Sequence, residues 1–109
     1  MKRISYVGGS FVTSDEVAAA LLDFIAAGAR SRRNQVVTVP EFIGEEHSSA
    51  VSLLLGPSSQ LLSQDEPWSH AEPDTSEAVQ RVRAQANVHE ETARLTMLHA
   101  DATFDGDFD

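Results

Sequence analysis

The chain has 109 residues, 17 acidic against 8 basic, a formal charge of −9 and no cysteine. One domain is the natural count at this length, and a chain without cysteine has no disulfide framework, thiolate nucleophile or cysteine-ligated zinc. No run approaches the roughly 20 apolar residues of a membrane helix. The apolar stretch after Met1-Lys2-Arg3 is broken by Gly8-Gly9-Ser10 and Thr13-Ser14-Asp15-Glu16, so no membrane span and no secretory signal are expected.

Ile4-Ser5-Tyr6-Val7 reads as a short alternating strand. Gly8-Gly9 removes two side chains in a row, the signature of a bulge or bend, and Phe11-Val12 follow as a last apolar pair. Thr13-Ser14-Asp15-Glu16 is a helix start: Thr13 can accept from the Glu16 amide while Glu16 reaches back, with both acids at the positive end of the dipole. In the alanine-rich body 17–29, Val17, Leu21, Phe24, Ile25 and Gly28 fall on one face. Gly28 and the cluster Arg30-Ser31-Arg32-Arg33-Asn34 close the helix, cations at its negative end. Val36-Val37-Thr38-Val39 is a strand, and Pro40 implies an edge or bulge there, with Glu41-Phe42-Ile43 as an extension. Gly44-Glu45-Glu46-His47 is a hairpin tip and Ala50 to Leu55 the return strand. After the turn Gly56-Pro57-Ser58-Ser59, residues 60–63 fit a third strand or a helical turn equally. The expected fold class is α+β, a two-layer β-α-β-β(-β) arrangement with one small sheet and one packed helix, then a linker and a long C-terminal helix.

Residues 63–75 hold two prolines and four acids and read as an acidic linker. Its lone Trp68 is either a peg docking the linker on the core, the favoured reading, or an exposed anchor for a partner. Asp74-Thr75-Ser76-Glu77 is a second cap-like start, and 76–99 without proline or glycine predicts a long helix. At about 100° per residue, Ala78, Val79, Val82, Ala86, His89, Ala93 and Met97 share a narrow stripe, with Val88, Leu95 and Leu98 opposite. Such a helix suits two neighbours, its own core and a second subunit; a break near Asn87, each half burying its own side, is the equal alternative. Residues 100–109, with four Asp and two Phe, are expected to be disordered.

Large apolar side chains (Val, Ile, Leu, Met, Phe, Trp) number 30, of which 21 lie in residues 1–62 and nine beyond. Residues 1–40 carry five basic and three acidic groups, net +2; residues 41–109 carry three and 14, net −11. A 60-residue core buries only about 60% of what the unfolded chain exposes and needs outside support. The C-terminal segment or a second copy must supply it.

Chemistry is constrained mostly by exclusion. Val7-Gly8-Gly9-Ser10 sits where phosphate loops sit, but neither phosphate-binding glycine pattern is present and Asp15 and Glu16 repel an anion. His89 and His99 are ten residues apart, roughly 15 Å along a helix, and cannot share an ion; Glu90, Glu91 and Arg94 fit a solvated face. The tail from Asp101 to Asp109 lacks the frame and closing glutamate of a calcium loop. No G-x-S-x-G nucleophile elbow occurs. The −9 charge opposes a phosphate backbone, so no nucleic acid is expected, and the arginine cluster is accounted for by its place at a helix C-terminus. It could also receive the acidic arm of another subunit, which would make self-association salt-dependent.

The expectation is a small, soluble, cytoplasmic, non-catalytic protein–protein interaction module without metal or cofactor. It would be a homodimer joined through the C-terminal helix or a sheet edge, with contact residues Val79, Val82, Ala86, Ala93, Met97 and Leu98 and Trp68 as anchor. One alternative is a small-ligand-binding protein or minor enzyme with a pocket between first helix and sheet near Tyr6, Ser10 and His47. Another is an acidic inhibitor or antitoxin-like partner of a basic protein, its arm folding on binding.

Overall fold

A computed structural model of the protein describes residues 1–28, 34–44 and 47–86. Their order is β1 (Lys2–Tyr6), β2 (Gly9–Thr13), α1 (Asp15–Gly28), β3 (Gln35–Phe42), β4 (Ser48–Leu55) and β5 (Leu62–Asp65), followed by a helix, α2, over residues 76–86. The molecule is mixed α/β, with small antiparallel sheets and two helices among the described residues. The sheets are β2-β1-β5 and β3-β4.

The first departure from expectation is at Gly8-Gly9, where the chain does not bulge but reverses. Val7 and Gly8 form the turn, Tyr6 pairs with Gly9 and Ile4 with Phe11, so Phe11 and Val12 belong to a strand of their own and the order begins β-β-α. The second is in the bounds of the strand that is one of the two readings of residues 60–63: it spans Leu62–Asp65 and pairs antiparallel with β1, Ser5 opposite Leu62 and Lys2 opposite Asp65. Ser63, Gln64 and Asp65, read from sequence as the start of a linker, are strand residues. Third, the sheet is not single, and the C-terminal helix enters the core. That helix is described only to residue 86; its continuation to 99, the break near Asn87 and the tail 100–109 lie outside the described residues, as does the arginine cluster.

The α1 helix forms where the spacing placed it, one position from the expected cap. Ser14 is the cap: its carbonyl accepts from the Ala18 amide at 3.0 Å and its hydroxyl from the Val17 amide at 3.1 Å. The fully buried Thr13 hydroxyl instead donates to the Pro40 carbonyl at 2.8 Å, tying β2 to β3. This bond explains how a proline sits inside a strand. In an extended chain a residue's N–H and C=O point to the same side, so the Pro40 carbonyl aimed at Thr13 puts the missing N–H away from β4. No ladder bond is lost. At the tip, Gly44 takes φ +77°, a left-handed conformation that favours glycine, and the Ile43 amide donates to the His47 carbonyl at 2.9 Å.

One apolar cluster joins the elements. Ile4 and Phe11 come from the first sheet and Val37, Val39, Leu53 and Leu55 from the second. Val17, Ala18, Ala20, Leu21 and Phe24 come from α1, and Ala78 and Val82 from α2. The helices run side by side in the same direction: Ser14 and Thr75, both buried, share a 2.6 Å hydrogen bond at their N-terminal ends, and Arg83 meets Asp23 at 2.9 Å further along. Two positive dipole ends are thereby brought together, and acids gather there. Glu72 accepts from the Asp15 amide at 2.8 Å, and Asp74 from the Ser76 amide at 3.0 Å.

Candidate interaction surface

The same apolar sequence that fills the core over-supplies it at three places. Leu21-Leu22, Leu53-Leu54-Leu55 and Leu61-Leu62 each set large side chains on neighbouring residues, and neither a helix nor a strand can turn adjacent side chains to one face. Leu21, Leu53 and Leu55 go inward, while Leu22, Leu54 and Leu62 remain exposed, Leu54 at 66% and Leu62 at 55%. At the β1–β2 turn Val7 is fully exposed.

These side chains are not scattered. A groove of about 710 Å³ runs between the C-terminal half of α1 and the β1–β5 edge, walled by Tyr6, Val7, Leu22, Ile25, Leu61 and Leu62. A smaller cleft of about 280 Å³ shares Tyr6, Val7 and Leu61 and continues along β4 from Ser52 to Leu55. Among the described residues, none that lines either one is charged, in a chain where 23% of residues are. Tyr6 stands edge-on to Phe11, ring centres 6.0 Å apart, which anchors the groove floor to the core.

A third cleft, where β2 and the chain leaving β5 meet the end of β3, has a different character. Trp68 is half-buried there beside Val12, Phe42 and Ile43, with Arg3, Ser10, Glu41 and Glu66 around it. The Arg3 guanidinium is already engaged. Its Nε donates to Glu66 at 3.1 Å, one terminal nitrogen to Glu66 at 2.9 Å and the other to Ser10 at 3.0 Å, a forked pair that fixes the chain leaving β5. Hydrogen bonding to Arg3 holds the Glu66 carboxyl below the usual range, and Lys2 does the same for Asp65 across the β1–β5 pairing. The Met1 amine lies 2.9 Å from Asp15 and 3.1 Å from Glu72. The Asp15 hydrogen bond chiefly raises its pKa, with Glu72 adding to it.

The sequence-chosen residues are distributed as follows. Val82, read as a contact with a second subunit, is 1% exposed and belongs to the chain's own core, with Val79 and Ala86 packed partly against the same cluster. Ala93, Met97 and Leu98 lie outside the described residues. Tyr6 does line a groove between α1 and the sheet, as expected for a pocket. Ser10 lines the cleft beside Trp68 instead, bonded to Arg3, and His47 is exposed at the β3–β4 tip, so the three are not brought together. Sequence reasoning missed Val7, Leu22, Ile25, Leu54, Leu61 and Leu62 as a surface. The adjacent leucines were the available signal.

Among the described residues no helix is long and apolar enough to cross a membrane. Comparison with known protein families, curated proteins and solved structures finds no match to this chain.

Proposed function

We propose that this chain is a soluble, cytoplasmic protein–protein interaction module that acts without catalysis, as a homodimer. The observation that carries the reading is the uncharged surface running from Leu22 and Ile25 on α1, across Tyr6, Val7, Leu61 and Leu62, to Leu54 on β4. Contiguous exposed apolar area of this kind marks an association site. Its lack of charge matters for the choice of partner. Two copies of a −9 chain repel through most of their surfaces, and a neutral face is where they can meet at least electrostatic cost. A basic partner would be drawn to the acidic surfaces instead.

The test is sedimentation equilibrium of the full chain and of Leu22→Glu, which places one carboxylate in the middle of the groove wall without touching the core. The wild-type chain should self-associate, and the variant should dissociate at concentrations where the wild type remains dimeric. A wild-type chain that stays monomeric into the millimolar range would overturn the proposal.

A further inference from the structure

The β3–β4 ladder fixes which backbone groups of β4 are left over. On β3, the Pro40 carbonyl is taken by Thr13 and the Val36 carbonyl by Gln85, at 3.0 Å. Both therefore point away from β4, and so by alternation do those of Thr38 and Phe42. Their register partners Leu54, Ser52, Ala50 and Ser48 are then the non-hydrogen-bonded pairs of the ladder, so on β4 these residues aim N–H and C=O outward. No strand among the described residues pairs with that edge.

The edge is also unguarded. Sheets blunt free edges with charge, proline or shortness. β5 has these devices: four residues ending in Asp65, then Glu66 and Pro67. β2 lies beside β3 and is tied to it at Thr13 by the hydrogen bond to the Pro40 carbonyl. β4 is eight residues long, Ser-Ser-Ala-Val-Ser-Leu-Leu-Leu, with no charge and no proline. The uncharged cleft beside it joins its Ser52–Leu55 half to Tyr6, Val7 and Leu61, so the edge is continuous with the proposed association surface.

From this we infer that the occupant of the β4 edge is the β4 strand of a second copy, paired antiparallel across a two-fold axis to make one four-stranded β3-β4-β4-β3 sheet. This rests on the self-association reading above and adds its geometry. The register follows from the leftover groups. With the axis at Val51, Ser48 pairs with the partner's Leu54 and Ala50 with the partner's Ser52, so every outward N–H and C=O of the strand is used. An axis at Ala50 or Ser52 leaves one end of the row unpaired. At the axis, Val51 faces its own copy in a non-hydrogen-bonded pair, with Cα atoms about 4.5 Å apart. Ser49, two residues from the axis, lies about 13 Å along the strand from its own copy.

Because the chain has no cysteine, each single substitution introduces one thiol. The experiment oxidises full-length Val51→Cys, Ser49→Cys, Ala50→Cys and Ser52→Cys under mild conditions and follows covalent dimer on non-reducing gels, with light scattering of the unmodified chain alongside. The expected result is disulfide dimer from Val51→Cys faster than from Ser49→Cys by more than an order of magnitude. A mixture of Ala50→Cys and Ser52→Cys should give the mixed dimer in preference to either homodimer; this arm stands even if Val51→Cys, which touches the core, folds poorly. An unmodified chain that is dimeric, with Val51→Cys no faster than Ser49→Cys and no preference for the mixed pair, would overturn the edge pairing and leave self-association standing. A monomeric chain, with the edge covered by residues 87–109 or left open, would overturn both.

Discussion

Replacing Val82 with alanine separates two accounts of α2 by the sign of the effect. Val82 is 1% exposed and packs in the cluster shared by α1 and both sheets. The substitution removes two methyl groups, worth about 0.8 kcal/mol each in transfer. A void of roughly 40 Å³, if it does not collapse, adds about 1 kcal/mol. Alanine's better helix propensity returns about 0.5 kcal/mol. The net is a destabilisation of about 2 kcal/mol. At a urea slope of about 1–2 kcal/mol per molar, the midpoint should fall by about 1–2 M. The assay is urea unfolding followed by circular dichroism, both chains at one fixed concentration because association itself adds apparent stability. Were α2 an appendage outside the core, the propensity gain would act alone. A midpoint unchanged or raised would refute the reasoning.

Four further outcomes follow from the contacts. Ser14→Ala removes the cap of α1, about 1 kcal/mol, and strands the buried Thr75 hydroxyl, about 1–3 kcal/mol more; added to Thr75→Val in a double-mutant cycle by urea unfolding, it should cost less than the sum of the two single changes. Gly44→Ala should cost about 1 kcal/mol, since a Cβ at φ +77° is strained although nothing lies within 4 Å of it; a midpoint equal to wild type would count against the turn. The carboxyls of Asp65 and Glu66 titrate below their ordinary values, chiefly through hydrogen bonds from Lys2 and Arg3. The stability they contribute is present at neutral pH and is lost as pH falls through the depressed range, so Arg3→Gln should flatten the acid limb of a plot of urea midpoint against pH. The Met1 amine has the opposite sign: raised chiefly by the Asp15 hydrogen bond, its contribution is full below the ordinary amine value and is lost as pH rises through the raised one. Acetylating that amine should reduce the alkaline slope, to which the Lys2 amine, raised by its Asp65 hydrogen bond, also contributes.

The sequence and the structure agree where the information is local. Val17, Leu21 and Phe24 mark the buried face of α1 by spacing alone, and the β3–β4 hairpin is bounded by β-branched residues, a glycine tip and a Gly-Pro turn. The β1–β2 hairpin was hidden because Gly8, Gly9 and Ser10 carry no alternation to read. The spacing leaves β5 open between strand and helical turn because Leu-Ser-Gln-Asp has little strand character; its place is set by pairing with β1 and by the Lys2–Asp65 and Arg3–Glu66 ion pairs, partners 63 residues apart. The Thr13 hydroxyl went to the Pro40 carbonyl for the same reason, a tertiary partner outbidding a local one. For the surface, the helical stripe Ala78, Val79, Val82 and Ala86 was read correctly as apolar, yet no periodicity says whether its own core or another subunit covers it. In the structure α2 of the same chain contributes Ala78 and Val82 to the apolar cluster of residues 1–62. That left the adjacent leucines to form the outward surface.

Self-association is the claim on which the functional account stands, and the molar mass of the wild-type chain by light scattering, at micromolar concentration and neutral pH, tests it most directly. The account predicts twice the 11.8 kDa of one chain, with a return toward one chain mass in Leu22→Glu. A wild-type mass of 11.8 kDa at every concentration would contradict it.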